Sequence, residues 1–407
     1  MNDAAPDPTT ALIHHPYQPP DGFAAPQPGV FKASTVIFPN VAALRQRDWK
    51  HKSGYTYGLH GTPTTFVLEE RLCALEGGVQ CLLVPSGLAA IANVSLALLK
   101  TGDEVLIPDN AYGPNKALAE GELRAWGITH QFYDAMNPAD LAARLNERTR
   151  LVWLEAAGSV TMEFPDLRAQ VRLCRERGVT CALDNTWGAG LAFQPFELGE
   201  GLGVDISVHA LTKYPSGGGD VLMGSVITRD EALHLKLKMT HMRLGLGVGA
   251  NDVESVLRSL PSLALRYRAH DVAARLLAAW CSAQPQIVQV LHPALAEAPG
   301  HAHWRQLCGA AHDGEGAAAG LFSVLVDARY TPAQVDAFCD TLRLFKIGYS
   351  WGGPISLVMP YELATLRAAW PAHLARGTLV RFSVGLEAVA DLRQDLAQAL
   401  ASALPQG

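Results

Sequence analysis

The sequence predicts an α/β fold, with a mostly parallel sheet in a large domain and a smaller C-terminal α+β domain behind it. Three observations carry this. Between about residues 64 and 228, short apolar runs alternate with stretches of helical apolar spacing. The runs stand too far apart for hairpins, so right-handed crossovers must join parallel strands. From about residue 251 the order changes to one long helical stretch, followed by strands mixed with helices. The chain therefore divides into an arm (1–62), an α/β domain (63–250) and a C-terminal α+β domain (251–407).

The first thirty residues are rich in proline and alanine and show no period, which reads as an extended arm. Thr64 to Leu75 has helical spacing, a threonine start and acids in the early turns. Then follow QCLLVPSG as a strand, LAAIANVSLALL as a helix, DEVLIPDN as a strand and PNKALAEGELRAWG as a helix. ITHQFYD, RLVWLEA and VTCALDNT read as strands, separated by the helices PADLAARLN and PDLRAQVRLCRERG. VDISVHAL and VLMGSVIT are two further buried strands, one on each side of Lys213. Asn251 to Trp280 is one long helical segment bent at Pro261. LFSVLVDA, ISLVMPY and LVRFSVG are strands, PAQVDAFCDTL is a helix, and VADLRQDLAQALASAL is the terminal helix.

The chain has 407 residues, 49% hydrophobic and 18% charged, which is a globular composition with enough apolar surface for a large core. A net charge of −6 without basic runs gives no reason to expect nucleic acid or an anionic membrane as partner. A small-molecule ligand is expected instead. Seven cysteines stand without CxxC pairs or Cys/His clusters. That pattern points to a reducing, cytoplasmic setting and gives no metal site. No secretory leader is read at the N-terminus and no apolar run reaches membrane-spanning length.

Four features stand at the ends of expected strands, where open α/β sheets bind ligands. Pro85-Ser86-Gly87-Leu88 joins a strand to a helix, whose first N–H groups suit a phosphate, although many such turns carry Ser-Gly for geometry alone. Asp184, in Leu-Asp-Asn-Thr, is either a helix cap or the partner of a buried cationic group. Lys213 precedes a glycine run and is either solvated or poised beside a ligand. Tyr112, in Asp-Asn-Ala-Tyr-Gly-Pro, either packs in a turn or stacks on a ligand.

Each feature alone is weak, but their order and spacing are specific. With YGLHGTPTTFVLEERLCALEGG, VPSGLAAIAN, LDNTWGAG, LTKYPSGGGDVLMGS, YSWGGPISL and GTLVRFSVGLE, the chain resembles the Cys/Met-metabolism family of pyridoxal-phosphate enzymes, most closely its cystathionine β-lyase branch. The resemblance runs from about residue 30 to the C-terminus. It implies the fold type I architecture, like aspartate aminotransferase, and pyridoxal 5′-phosphate as cofactor. Lys213 would carry the cofactor as a Schiff base and move the substrate α-proton. Asp184, with Thr186 beside it, would pair with the pyridine nitrogen. Tyr112 would stack on the ring and assist catalysis. Gly87, Leu88 and Thr212 would hold the phosphate. Arg381 would grip the substrate α-carboxylate in a pocket lined by Ser350 and Trp351. Tyr57 would reach the site of a neighbouring subunit, which implies a homotetramer built from two active dimers.

The implied reaction is α,β-elimination of L-cystathionine, or of related S-substituted cysteines, to a thiol, pyruvate and ammonia. The alternatives are γ-lyase, γ-synthase or O-acyl-homoserine sulfhydrylase chemistry, and a degenerate cofactor-binding protein. The sequence departs from the family pattern at several positions. Tyr-Gly-Arg reads Tyr57-Gly58-Leu59-His60, which removes a phosphate-binding charge. Ser-x-Thr-Lys reads Ala210-Leu211-Thr212-Lys213, Glu-Ser-Pro reads Glu155-Ala156-Ala157, and Gly-His-Ser-Asp reads Gly217-Gly218-Gly219-Asp220.

Overall fold

The computed structural model describes residues 7–405 apart from 53. Its larger sheet has seven strands: β1 (Gln80–Val84), β2 (Glu104–Pro108), β3 (Thr129–Tyr133), β4 (Thr149–Glu155), β5 (Thr180–Asp184), β6 (Ile206–His209) and β7 (Gly224–Thr228). They lie in the order β1-β7-β6-β5-β4-β2-β3. Strands β3, β2, β4, β5 and β6 are mutually parallel, as crossover helices require. β7 runs antiparallel to both β6 and β1. The reason is local, because no helix separates β6 from β7 and the chain simply turns back through the glycine-rich segment after Lys213.

The strands read as nearly continuous apolar runs because both sheet faces are covered. Along β2, Val105 and Ile107 pack into the core on one face, while Leu106 packs into the core on the other. β4 does the same, with Leu151 and Trp153 on one side and Val152 and Leu154 on the other.

The smaller sheet has five strands: β8 (Ile287–Leu291), β9 (Leu321–Asp327), β10 (Lys346–Ile347), β11 (Leu357–Tyr361) and β12 (Gly377–Ser383). Their order is β10-β11-β12-β9-β8. A third core forms between this sheet and the helices Leu263–Ser282, Pro332–Thr341 and Val389–Ala403.

Several elements go beyond the sequence expectation. The arm is not wholly extended: Pro8–Ile13 is a helix capped by Asp7, and Leu12 is buried. Helices Val41–Arg45, Glu231–Leu244 and His301–Cys308 and strands β8 and β10 were not expected either. The expected bend at Pro261 is a 3₁₀ turn, Leu260–Ser262, between helices Ala250–Ser259 and Leu263–Ser282. Among the described residues, no helix is long and apolar enough to cross a membrane.

Candidate active site

The carboxyl ends of β1, β4, β5 and β6 meet at one edge of the larger sheet. At β1, Ser86 caps helix Gly87–Leu98, its Oγ accepting from Ala89 N–H at 3.0 Å. The N–H groups of Gly87 and Leu88 belong to the first turn, which has no intrahelical acceptors. Two glycines allow this turn to sit against its neighbours. A Cβ on Gly87 would lie 2.6 Å from Ala210 Cβ, and one on Gly224 would lie 2.4 Å from the Ser86 carbonyl oxygen. The turn, the loop to Lys213 and β7 are thereby held in direct contact.

Asp184 ends β5, in register with Glu155 at the end of β4. Asp184 Oδ1 accepts from Thr186 N–H at 3.0 Å and from the Thr186 hydroxyl. Thr186 Oγ1 in turn accepts from Ala210 N–H at 2.9 Å, which ties Asp184 to the Lys213 loop. Among the described residues, Asp184 Oδ2 has no hydrogen-bond partner. Burial raises the Asp184 pKa, against opposing hydrogen bonds from Thr186 and the charges of His209 and Lys213. Glu155 lies well above the usual carboxylate range, through burial and then the nearby Asp184 charge. It accepts from Tyr112 N–H at 2.8 Å and so fixes where that ring begins. Tyr112 is itself pushed up by burial, then by Asp184 and Glu155. Behind these strand ends Glu76 is fully buried, accepting from His209 Nδ1 at 2.9 Å, from Asn185 Nδ2 at 3.2 Å and from Ser207.

Lys213 projects from the loop after β6, and its Nζ donates to Ser350 Oγ at 2.7 Å. The same Nζ lies 5.3 Å from the Trp351 ring centre. Burial and then the Arg381 charge lower the lysine to about 8, against the pull of Asp184. Thr212 Oγ1 accepts from Met223 N–H at 3.1 Å, bracing the turn back to β7. Tyr214 joins the two sheets: its OH accepts from Gly320 N–H at 2.8 Å and its ring meets Trp351 edge-on at 5.5 Å.

Arg381 sits in the middle of β12, only 7% exposed. Among the described residues its guanidinium makes a single, long hydrogen bond, from Nη1 to the Ser159 carbonyl at 3.4 Å. Its guanidinium lies 5.3 Å from the Tyr361 ring centre. Among the described residues no carboxylate pairs with it, although burial of a lone cation is costly and lowers its pKa.

Lys213, Asp184, Tyr112, Thr186, Thr212, Gly87, Leu88, Ser350, Trp351 and Arg381 therefore gather at the sheet edge and the facing strands. Tyr57 does not join them. It precedes the 3₁₀ turn Gly58–His60, pairs with Thr35, leans on the His60 ring and is 47% exposed. Leu59 packs near Gly247 in a separate cleft with Lys238 and His241. Sequence reasoning missed Glu155 as a site residue, along with Ser159 and Tyr361. Only Glu155 carried a signal, as an acid closing the apolar run of β4.

The arrangement fits a phosphorylated pyridine aldehyde. A helix start with free N–H groups suits the phosphate. An unpartnered carboxylate oxygen suits a ring N–H, and a lysine lowered to about 8 suits a carbonyl. The unpaired Arg381 suits a carboxylate on a second ligand.

The family model for Cys/Met metabolism PLP-dependent enzymes matches residues 9–401. A cystathionine beta-lyase from Bordetella avium is 37% identical over 410 residues, spanning 98% of this chain and 99% of that protein. One from Salmonella typhimurium is 35% identical over 376 residues, spanning 91% of this chain and 92% of that protein. A solved cystathionine gamma synthase from Xanthomonas oryzae pv. oryzae superposes with a TM-score of 0.85 at 29% identity, covering 98% of this chain and 99% of that one.

Proposed function

The chain belongs to the Cys/Met metabolism PLP-dependent enzyme family, and on that premise we propose that it is a carbon–sulfur lyase cleaving the Cβ–S bond of L-cystathionine or a related S-substituted cysteine. The products are a thiol such as homocysteine, pyruvate and ammonia. The observation that carries the reading is Arg381, a buried cation that meets no carboxylate among the described residues and acts on the charge of Lys213. An α-amino acid whose carboxylate takes that place presents its amine and Cα to the lysine.

Pyridoxal 5′-phosphate, when bound, supplies a carbonyl for the substrate amine and an electron sink for the charge left at Cα. The N–H groups of Gly87 and Leu88 would hold its phosphate. Thr212 could turn its hydroxyl proton to the phosphate from the Met223 carbonyl, to which it donates over a long 3.3 Å, while its oxygen keeps accepting from Met223 N–H. Asp184 Oδ2 would accept from the ring N–H, while Thr186 keeps Oδ1 occupied. Lys213 takes the proton from Cα, and a value near 8 keeps part of it neutral at cellular pH. Ser350 orients its Nζ through the 2.7 Å bond. Tyr112 stays a neutral phenol because its pKa is raised, which suits it to protonate the departing sulfur. Trp351 walls the site beside Lys213 and keeps water from the reacting carbon.

The exposed Tyr57 lies outside its own chain's cluster, which supports its serving the site of a second copy in a homotetramer of active dimers. Seven free, buried cysteines support a reducing cytoplasm.

Incubation with L-cystathionine and identification of the keto acid tests the reading. Pyruvate is expected. The Xanthomonas relative supports γ-chemistry as a second reading, and 2-oxobutyrate as the main product would establish it instead.

A further inference from the structure

A buried ionic cluster borders the site without belonging to it. Arg367 is 7% exposed and comes from the strap between β11 and β12. Its Nη1 donates to both oxygens of Glu163, at 2.7 and 2.9 Å, and its Nε donates to Asp109 Oδ2 at 3.0 Å. Glu163 is fully buried and also takes bonds from Thr161, from His373 of the same strap, and from Asn110 Nδ2 at 3.0 Å. Lys116 Nζ closes the cluster, donating to the carbonyls of Asp109 and Leu366.

The cluster leads into the site by two short routes. Asp109 and Asn110 form the turn that ends in Tyr112. Asn110 O accepts from Ser159 N–H at 3.0 Å, and Ser159 O accepts from the Arg381 guanidinium. Arg367 thus reaches the turn that carries the Tyr112 ring through Asp109, and the guanidinium that receives the carboxylate through three residues, Glu163, Asn110 and Ser159. With Nη2 also donating to Asp109 Oδ2, four charge-assisted bonds from one planar group hold this geometry more tightly than a lysine could.

We propose that Arg367 is a positioning residue for this site, seating Tyr112 through Asp109 and seating Arg381 through Glu163, Asn110 and Ser159. The inference rests on the reading of Arg381 as the carboxylate receptor. It concerns the binding of any α-amino acid, not the bond that is then cleaved.

The test uses holoenzyme carrying Arg367→Lys, which keeps the charge and loses the fork, and Arg367→Met, which loses both. L-Alanine has the amine and carboxylate but nothing to eliminate, so its binding is read from the absorbance change of the bound cofactor. We expect both variants to keep their cofactor. The L-alanine Kd and the KM for cystathionine should rise at least fivefold for the lysine variant and more for the methionine variant, with kcat falling by a smaller factor. Combining Arg367→Lys with Arg381→Lys should cost less than the product of the two separate effects, because one acts through the other. Constants within twofold of wild type, or strictly multiplicative effects, would overturn the proposal. So would an Arg367→Lys protein that does not fold and load cofactor, since the cluster would then serve folding. If wild-type enzyme binds L-alanine yet releases no pyruvate from cystathionine, the lyase reading fails while this one stands.

Discussion

At the scale of single residues, Arg381 helps to set the charge of Lys213. Lys213 is lowered to about 8 by burial and by the neighbouring guanidinium. Covalent capture of a carbonyl needs the neutral amine, so cofactor uptake by the cofactor-free enzyme should quicken as pH rises through about 8. Arg381→Met removes the repelling cation and should move that midpoint upward; stopped-flow absorbance at several pH values reads both, and a flat profile would contradict the assignment. The folded lysine releases its proton below the ordinary value of 10.5, so the unfolded chain binds more protons between about 8 and 10.5. Stability of the cofactor-free protein therefore rises with pH across that window, and Lys213→Met should stabilise it at pH 7 while abolishing turnover. Denaturant melts of the two proteins check this. Arg381→Lys keeps a charge but loses the fork. It should cost about 10- to 100-fold in kcat/KM, on the order of 1.5–3 kcal/mol, chiefly through KM.

At the scale of elements, the site depends on three segments held close by two glycines, one against the Ala210 methyl and one against the Ser86 backbone. The Ser86 turn, the Ala210 loop and the start of β7 meet at Gly87 and Gly224. A methyl on Gly224 meets backbone, the Ser86 carbonyl oxygen at 2.4 Å, so no rotamer change relieves it. Gly224→Ala should cost about 1–3 kcal/mol and push the helix start away from the Lys213 loop. A lower melting temperature together with weaker cofactor binding is the expected pair of results. Unchanged cofactor affinity would show that the turn does not hold the phosphate.

At the scale of the whole molecule, each site draws on both sheets: Asp184 and Lys213 come from the larger, and Arg381 comes from β12 of the smaller. Tyr57 adds a second copy under the proposed assembly. Tyr57→Ala and Lys213→Ala should each be nearly inactive alone. Mixed after dissociation and reassembly, they should recover about a quarter of wild-type activity, since half of the random dimers carry one intact site. No recovery on mixing, with hybrid oligomers present by mass, would place Tyr57 in its own chain's site.

The sequence by itself determined the alternation of strands and helices, because both faces of a covered sheet need apolar residues and a crossover needs length. Motif order also singled out Lys213, Asp184 and Tyr112, the family resemblance added Arg381, and the structure brings these four side chains near one another. Short or exposed elements such as β8, β10 and helix Pro8–Ile13 were illegible, because they hold too few core residues to show a period. Only the tertiary structure decided that β7 runs antiparallel, that Glu155 stands level with Asp184 and that, among the described residues, Arg381 meets no carboxylate. Those are facts of register and encounter between residues far apart in the chain, as with Ser159 and Arg381, 222 positions apart. Local patterns record which face a residue buries, not which distant charge it will meet there.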